Sequence, residues 1–342
     1  MTLEEFLDTW HSPSETLLVH TSGSTGTPKP MLVEKRRMLN SAKITCDFLG
    51  LKPGDAALLC MSLDYIAGKM MVVRSIERSL KLISVKPSGH PLSAESLKNA
   101  NDAAWKQGIT FAAMVPIQVY NTLQVPEERE RLTHIKHLII GGGAIDSALE
   151  AELRSLSGDI AIWSTYGMTE TLSHIALRRI NGKEASEWYQ PFDSVKVSQT
   201  EEGCLVIDAP LVCKQPLVTN DIVEIQPYIY NKVCAEGVRF RIKGRKDNVI
   251  CSGGIKIQIE EVENLLKPHL QKPFMLAKKK DEKFGEIAVL LTEDGDLKKV
   301  EATVRRLLSD NSKKYWIPRE YIHVESLPLT ETGKPKRACL LR

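Results

Sequence analysis

A stretch near the N-terminus combines small hydroxyl side chains, glycines and one lysine. Residues 19–30 read VHTSGSTGTPKP, an apolar strand end followed by a loop with no bulk for a core. Glycine allows positive φ and close backbone approach, hydroxyls offer hydrogen bonds, and Lys29 adds a cation, a combination that suits an oligophosphate. The candidate phosphate-binding residues are Thr21, Ser22, Gly23, Ser24, Thr25, Gly26 and Lys29.

This loop differs from the Walker A loop of common nucleotide-binding proteins. A Walker A loop has glycine directly before its lysine, whereas Pro28 precedes Lys29 here. The sequence therefore excludes an ordinary P-loop. On this stretch alone, a surface turn rich in serine and glycine remains the alternative interpretation.

Three later stretches also carry residues suited to chemistry. YGMTE at 166–170 offers a ring for a purine, a hydroxyl for a phosphate and a carboxylate for Mg²⁺. GRKDNVICSGGIKI at 244–257 places Arg245 and Asp247 in a turn ahead of a glycine pair, as in a hairpin. LPLTETGKPKR at 327–337 presents Lys334 on a loop that, taken alone, reads as a solvated tail.

The elements between these motifs predict an α/β fold. Apolar strand-like runs such as DAALLCMSL, KLISV, GITFAAMVP, IKHLIIGGG and IAIWSTYG alternate with helical stretches such as SAESLKNANDAAWKQ and DSALEAELRSL. This alternation favours a largely parallel sheet. Ligands bind beyond the carboxyl ends of such strands, and VHTSGSTG, LIIGGGAID and WSTYGMTET all follow predicted strands.

The second half of the chain predicts a different organisation. From about residue 195, short strands and turns indicate a small β-rich subdomain. After Asp247 come a helix in QIEEVENLLKPHL, a strand in EIAVLLT and a second helix in LKKVEATVRRLLSD. We therefore expect a large domain over residues 1–246 and a C-terminal α+β domain over residues 247–342.

Composition narrows the class of protein. The chain has 342 residues, with 42% hydrophobic residues and a net charge of only +3, so nothing indicates a nucleic acid or a membrane surface as partner. The acidic, amphipathic start MTLEEFLDTW and the absence of a long apolar run favour a cytoplasmic protein. The seven scattered cysteines favour reduced thiols, and His134 and His137 of HIKH favour the start of a strand over a metal site.

Taken together, the motifs resemble a known superfamily. TSGSTGTPKP, YGMTET, the aspartate of VTND, GRKDNVICSGGIKI and LTETGK resemble, in order, the core motifs of the adenylate-forming enzymes, which include acyl-CoA synthetases, firefly luciferase and peptide-synthetase adenylation domains. The resemblance runs from about residue 17 to the end. It implies an acid:thiol ligase in which a small carboxylic acid reacts with ATP and Mg²⁺ to an acyl-adenylate, and CoA then accepts the acyl group as the C-terminal domain rotates.

The resemblance implies a role for each motif. The residues of the loop at 21–29 would hold the β- and γ-phosphates, Glu170 would hold Mg²⁺ and Thr169 would contact the α-phosphate. Contacts with the rest of ATP are implied for Gly142, Gly143, Ala144, Tyr166, Gly167, Asp221 and Arg245.

The C-terminal motifs receive roles in the two steps. Lys334 is implied as the catalytic lysine between the attacking carboxylate and the α-phosphate, and Asp247 as the hinge of the mobile C-terminal domain. Gly253 and Gly254 would let the pantetheine arm of CoA pass close to the backbone.

The chain departs from the superfamily pattern in three places. Pro30 replaces a glycine, and Asn220 stands where glycine usually precedes Asp221; since asparagine tolerates positive φ, we expect a turn there. The first motif begins at Thr21, so we expect most of the superfamily's N-terminal subdomain to be missing. We expect either a compact branch or a flank covered by another surface, such as a second copy in a homo-oligomer.

Within the superfamily, YIAGK, YGMTETLSHIAL and DNVICSGGIKI most resemble o-succinylbenzoate:CoA ligases of menaquinone synthesis. That acid carries two carboxylates, so its pocket should hold polar donors, for which Lys69, Ser173 and His174 are the candidates. Alternatively, Lys69 is a solvated helix residue, and Ser173 and His174 satisfy backbone groups. Other acids, a carrier-protein thiol as acceptor and a non-catalytic nucleotide-binding relic are the alternative functions.

Overall fold

The computed structural model describes residues 1–20, 30–100, 106–156, 160–229, 236–309 and 313–328. The loop at 21–29 and Lys334 therefore lie outside the described residues. The chain divides into two compact units: unit 1 comprises residues 1–198, 206–217 and 225–241, and unit 2 comprises residues 199–205, 218–224 and 242–342. The domain boundary between residues 246 and 247 stays a prediction.

Unit 1 carries the large sheet expected for an α/β fold. Its strands are β1 (Thr16–His20), β2 (Pro30–Glu34), β3 (Ala56–Leu59), β4 (Lys81–Ser84), β5 (Phe111–Met114), β6 (His137–Ile140), β7 (Ala161–Gly167), β8 (His174–Arg179) and β9 (Gln190–Pro191). Its helices are α1 (Leu3–His11), α2 (Lys35–Leu49), α3 (Ile66–Arg78), α4 (Ala94–Lys98), α5 (Pro116–Gln124), α6 (Pro126–Thr133) and α7 (Ser147–Arg154).

The strand order of the large sheet is β4-β3-β5-β6-β7-β8-β9. Strands β3 to β7 pair in parallel, and β8 and β9 continue the sheet antiparallel. Parallel strands are covered on both faces, which explains why β3 and β5 are buried along their whole length. Leu58, Ala112, Leu138 and Ile162 belong to one buried cluster of this sheet.

One sequence-based expectation about the sheet is wrong. We expected VHTSGSTG to follow a strand of the parallel sheet, but β1 pairs antiparallel with β2 in a separate two-stranded sheet. Leu18 and Leu32 face each other in that register, and both are exposed. An apolar run ahead of a polar loop does not reveal which strand it pairs with, because pairing is a tertiary property.

Four strands contribute residues to both units: β10 (Lys196–Gln199), β11 (Cys204–Asp208), β12 (Leu217–Ile229) and β13 (Glu236–Arg245). They form a sheet in that order. Unit 2 adds β14 (Val249–Ser252), β15 (Ile255–Gln258), α8 (Ile259–Leu266), β16 (Phe274–Asp281), β17 (Gly285–Thr292), α9 (Leu297–Leu307) and β18 (Glu320–His323).

The α+β content expected after Asp247 is present in unit 2. Its five-stranded sheet runs β15-β14-β17-β16, with β18 paired to β17. Strands β14 and β15 form the expected hairpin, and both central glycines, Gly253 and Gly254, have positive φ, as a tight type I′ turn requires. Buried residues from both helices, such as Val262 and Val304, pack against this sheet.

Within the described residues, no helix has both the length and the apolar character needed to cross a lipid bilayer. The five cysteines that these residues include are free thiols, and all but Cys251 are buried.

Helix α3 approaches the segment before it unusually closely. A Cβ atom on Gly68, in the first turns of α3, would overlap the carbonyl oxygen of Ser62 and lie 3.0 Å from that of Met61. Only glycine therefore lets the helix start here. This contact matters for the site because the same helix carries Lys69 and Arg74.

We predict that Gly68→Ala destabilises the protein by about 1 to 3 kcal/mol because backbone must move to accept the methyl group. Glycine-to-alanine changes within helices ordinarily stabilise by roughly 0.5 to 1 kcal/mol, so the expected sign is reversed. Urea unfolding of Gly68→Ala measures this, with Gly295→Ala as control because nothing lies within 4 Å of a Cβ at Gly295. A stabilised Gly68→Ala variant would contradict the prediction.

Candidate functional site

The carboxyl end of β7 reverses direction within six residues. Gly167 pairs with His174 in the register of β7 and β8, and a Cβ on Gly167 would overlap the carbonyl oxygen of Ser173. Between them, Thr169–Thr171 form one 3₁₀ turn. The reversal therefore carries Thr169 and Glu170 on its 3₁₀ turn and Ser173 directly before β8, which begins at His174.

A strained residue closes this reversal. Leu172 has φ +64° and ψ −37°, and the amide of Ser173 donates to the carbonyl of Thr171 at 2.7 Å, which defines a γ-turn. Such turns with positive φ are rare and strained. The Thr171 hydroxyl supports the turn: it accepts from the Met168 amide at 2.9 Å and bonds the Ser173 carbonyl at 2.6 Å.

The two motif residues on the 3₁₀ turn differ in exposure. Thr169 is buried, whereas Glu170 is exposed and, within the described residues, makes no ion pair. Its backbone carbonyl accepts from the Cys213 thiol at 3.4 Å, which ties the turn to the segment after β11. The carboxylate of Glu170 is thus available to a cation while its backbone is anchored.

The loop after β6 lies beside the end of β7. Gly141 packs so closely on the Thr165 hydroxyl that a Cβ would overlap it, and Gly142 adopts φ +81°. Beyond them, Gly143 has only the Pro116 ring within 4 Å of a Cβ position. The loop thus lies at the carboxyl end of β6, as the sequence indicated, and the contact of Gly142, Gly143 and Ala144 with the base stays a prediction.

Tyr166 sits in an aromatic cluster. Its ring centroid lies 5.1 Å from that of Phe240 and 5.8 Å from that of Tyr189, and the residue is only 7% exposed. Tyr189 in turn bonds Ser164 at 2.8 Å through its hydroxyl. These ring contacts bury Tyr166 at the end of β7, and its contact with ATP stays a prediction.

A buried arginine that the sequence analysis missed lies behind Ser173. Arg74 of α3 is 2% exposed; it donates to the Ser173 hydroxyl at 2.5 Å and to the Met71 sulfur at 3.8 Å, and its Nε has no partner. No described carboxylate pairs with it. The Cys46 thiol nearby is no counter-ion at neutral pH, because burial raises its pKa to about 12.

An unpaired buried charge is costly. Burial lowers the pKa of Arg74 to about 10, which still leaves the guanidinium charged at neutral pH. The sequence did contain a signal for this residue: Arg74 is the lone charge at the end of the apolar run MMVV within α3.

His174 completes this buried polar group. Its Nδ1 lies 3.2 Å from the Ser173 hydroxyl, and its Nε2 lies 3.1 Å from the Thr45 hydroxyl of α2. Burial, with the charge of Arg74, keeps the pKa of His174 well below its ordinary value of 6.5. Since the fold favours the neutral ring, the stability this provides is complete above about pH 6.5 and is lost as the pH falls towards the folded pKa.

Lys69 is buried too, but its contact is with the main chain. Its Nζ donates to the Asp64 carbonyl at 3.3 Å, and burial lowers its pKa. The alternative of a solvated helix residue is wrong, since only 3% of Lys69 is exposed. Its role toward the acid stays a prediction.

Unit 2 brings together Asp221, Arg245 and Asp247. Arg245 donates to an Asp221 oxygen at 3.1 Å and to an Asp247 oxygen at 2.7 Å. The expected turn at Asn220 is absent: the residue lies inside β12 and has no positive φ, because strand pairing rather than turn propensity decides this segment.

The glycine pair of unit 2 is asymmetric. Gly253 donates its amide to the Phe284 carbonyl at 2.9 Å, and a Cβ there would lie 3.2 Å from the Phe284 ring, while Gly254 faces open space. Backbone at Gly254 is therefore accessible to a ligand.

Comparison with known proteins decides the family. Residues 8–208, more than half of the chain, match the family described as AMP-binding enzyme. The chain belongs to the AMP-binding enzyme family. The resemblance to adenylate-forming enzymes and the expectation of an AMP-forming ligase are thereby confirmed.

Relatives of this AMP-binding chain include enzymes of two kinds. A 2-succinylbenzoate–CoA ligase of Bacillus mycoides is 23% identical over 97% of this chain and 71% of that protein. A plipastatin synthase of Bacillus subtilis is 25% identical over 94% of this chain, which spans only 13% of the relative.

Solved structures share the fold. An acyl-CoA synthetase (AMP-forming)/AMP-acid ligase II-like protein of Dyadobacter fermentans is 31% identical, covers 97% of this chain and is itself 91% covered, with a TM-score of 0.61. The o-succinylbenzoate coenzyme A synthetase of Bacillus subtilis, in complex with AMP, is 21% identical over 94% of this chain and 68% of its own, with a TM-score of 0.71. The expected α/β fold is thus confirmed.

We predict that Thr171→Val lowers the free energy of unfolding by about 1 to 3 kcal/mol, since the isostere leaves the Met168 amide and the Ser173 carbonyl without a buried partner. Thr171→Ser keeps the hydroxyl and should restore most of this loss. Urea unfolding of the three proteins is the measurement, and equal stability of the valine variant and the wild type would show that the hydroxyl does not support the turn.

Proposed function

We propose that this AMP-binding enzyme is an ATP-dependent acid:CoA ligase whose acid carries a second anionic group, with o-succinylbenzoate as the proposed substrate. The observation that carries the ligase proposal is the reversal after β7, which exposes the Glu170 carboxylate beside Thr169 while Gly142 presents backbone at the same sheet edge. The 2-succinylbenzoate–CoA ligases among the relatives support the choice of acid.

In the first step, a carboxylate oxygen of the acid attacks the α-phosphorus of ATP. The bond to the β-phosphate bridging oxygen breaks, pyrophosphate leaves and an acyl-adenylate forms. Thr169 is proposed at the α-phosphate, the loop at 21–29 at the departing phosphates, and Asp221 with Arg245 at the ribose. Positive charge and fixed donors around the phosphates stabilise the charge that develops on the transferring group.

The residues present fit a magnesium ion bound together with ATP. Within the described part of the chain, no cluster of three or more His, Cys, Asp and Glu side chains could hold a metal alone. Mg²⁺ in such sites uses one or two carboxylates and completes its shell with phosphate oxygens and water, so the exposed Glu170 suffices. When bound, the ion would neutralise phosphate charge.

In the second step, the CoA thiol loses its proton, its sulfur attacks the acyl carbon and AMP leaves. Lys334 is proposed for the first step only, and Asp247 for the hinge that exchanges the two conformations. The open backbone at Gly254, with Gly253 braced on Phe284, supports the proposed passage of the pantetheine arm.

The second anion of the acid is argued from Arg74. A guanidinium that is buried, lacks a carboxylate partner and retains an unbonded Nε gains most from a ligand that supplies a carboxylate. Arg74 contacts Ser173, which follows the proposed magnesium ligand Glu170 by three residues, and this supports a role of the cation toward the acid. Arg74 therefore supplies the polar pocket group that o-succinylbenzoate requires.

An alternative acceptor is a carrier-protein thiol, which the similarity to a peptide synthetase supports. Thioester formation with free CoA, compared with a phosphopantetheine-bearing carrier protein at equal concentration, separates the two. The non-catalytic alternative predicts no AMP in either assay.

The two half-reactions should depend differently on Lys334. We predict that Lys334→Ala lowers acyl-adenylate formation by roughly three orders of magnitude, as expected for a group that stabilises charge in the transition state. The same variant should still convert a supplied acyl-adenylate and CoA to thioester. Equal losses in both steps would reject the assignment of Lys334 to adenylation alone.

The acid preference should depend on Arg74. With o-succinylbenzoate, Arg74→Met should raise KM about 10- to 100-fold, since a charge-assisted contact of roughly 1.5 to 3 kcal/mol is lost. Benzoate should be a poor substrate of both the wild type and Arg74→Met, and its KM should change little between them. Arg78→Gln is the matched control, because Arg78 lies one turn further along α3 and pairs with Asp47.

One assay tests the ligase activity and the identity of the acid separately. Thioester formation is measured with o-succinylbenzoate, benzoate and a medium-chain fatty acid under identical conditions. A clear preference for benzoate or the fatty acid contradicts the proposed acid and leaves the acid:CoA ligase in place. No AMP with any acid contradicts the ligase itself.

A further inference from the structure

The buried group around His174 is a chain of hydrogen bonds with one consistent direction. Arg74 has only donors, so the Ser173 hydroxyl must accept from it and donate elsewhere. At the other end, the Thr45 hydroxyl donates to the Ser41 carbonyl at 3.1 Å and must accept from His174. His174 therefore carries its proton on Nε2 and offers a bare Nδ1 to Ser173.

We propose that His174 is a positioning residue: its Nδ1 accepts the Ser173 proton, so the Ser173 oxygen is held as an acceptor for Arg74 and turns the guanidinium's remaining donors toward the second anion of the acid. The proposal rests on the proposed function, because it assigns a partner to Arg74. His174 itself contacts neither ATP nor the acid in this arrangement.

Only one protonation state supports the chain. A proton on Nδ1 would compete with the serine proton, and the hydroxyl could then no longer accept from Arg74 and donate to His174 together. The groups facing His174 are Arg74 from α3, Thr45 from α2 and the Phe192 ring, whose centroid lies 5.6 Å away; Cys46 of α2 faces Arg74. Arg74 is the only charge among these described groups, and it opposes protonation of the ring.

The γ-turn at Leu172 connects the 3₁₀ turn that carries Glu170 to Ser173, which belongs to the hydrogen-bond chain. A Cβ on Gly167 would overlap the Ser173 carbonyl oxygen, so the end of β7 lies directly against this residue. The strain is consistent with a connection that must serve the phosphate side and the acid side within a few residues.

The first test determines the tautomer of His174 in the absence of substrate. In protein labelled with ¹⁵N-histidine, the His174 signals, assigned by their loss in His174→Asn, should report Nε2–H and bare Nδ1 at pH 7. They should keep this form below pH 6, where exposed histidines are charged. An Nδ1–H tautomer or a charged ring at pH 7 overturns the proposal, whatever the enzyme's substrate is.

The second test asks whether His174 positions Arg74 for the acid. Asparagine can place an acceptor where Nδ1 stood, whereas leucine cannot, so His174→Leu should raise KM for the preferred dianionic acid about tenfold and His174→Asn by less than about threefold. The kcat and the KM for ATP should change little in both.

Two results in this series overturn the proposal. One is an unchanged KM in His174→Leu. The other is an equal loss in kcat and in both KM values for both variants, which a merely structural role would produce. If the wild type prefers an acid with a single carboxylate, the proposed substrate is wrong. The ¹⁵N-histidine spectrum still decides whether the hydrogen-bond chain exists.

Discussion

The close contact between the ends of β7 and β8 is the constraint on which the site depends. Gly167 lies against the backbone of Ser173 and His174, and no side chain larger than hydrogen fits there. Because the two strands meet so closely, the connection between them must be short. One reversal therefore holds the residues proposed for the phosphates and those that contact Arg74, and the Thr171 hydroxyl and the Leu172 γ-turn maintain it.

A second consequence concerns charge. The interior behind the reversal holds a guanidinium with neutral partners only, and a fold does not ordinarily keep such a group without compensation. The hydrogen bonds through Ser173, His174 and Thr45 satisfy some of these polar atoms but supply no negative charge. A ligand with a carboxylate would supply it, which is why the proposed acid carries a second anionic group.

Unit 2 uses different means to hold its functional residues. Arg245 bridges Asp221 of β12 and Asp247 of the short 3₁₀ turn, while the Gln258 amide caps the Arg245 carbonyl at 3.1 Å. These contacts are half-exposed, where ion pairs contribute little to stability. They hold the three side chains together at the end of β13, where Asp221 and Arg245 are proposed to meet the ribose and Asp247 is proposed as the hinge.

The sequence by itself determined the alternation of strands and helices, the hairpin at Gly253–Gly254 and the order of the motifs, because these depend on side-chain periodicity, turn residues and local spacing. Its assignment of Ser173 and His174 to the acid stays a prediction. Only the tertiary structure decided that β1 leaves the large sheet, that Asn220 lies within a strand, and that Arg74 is buried without a counter-ion. Each of these depends on which distant segment pairs with or packs against the residue, and the local sequence does not encode that partner.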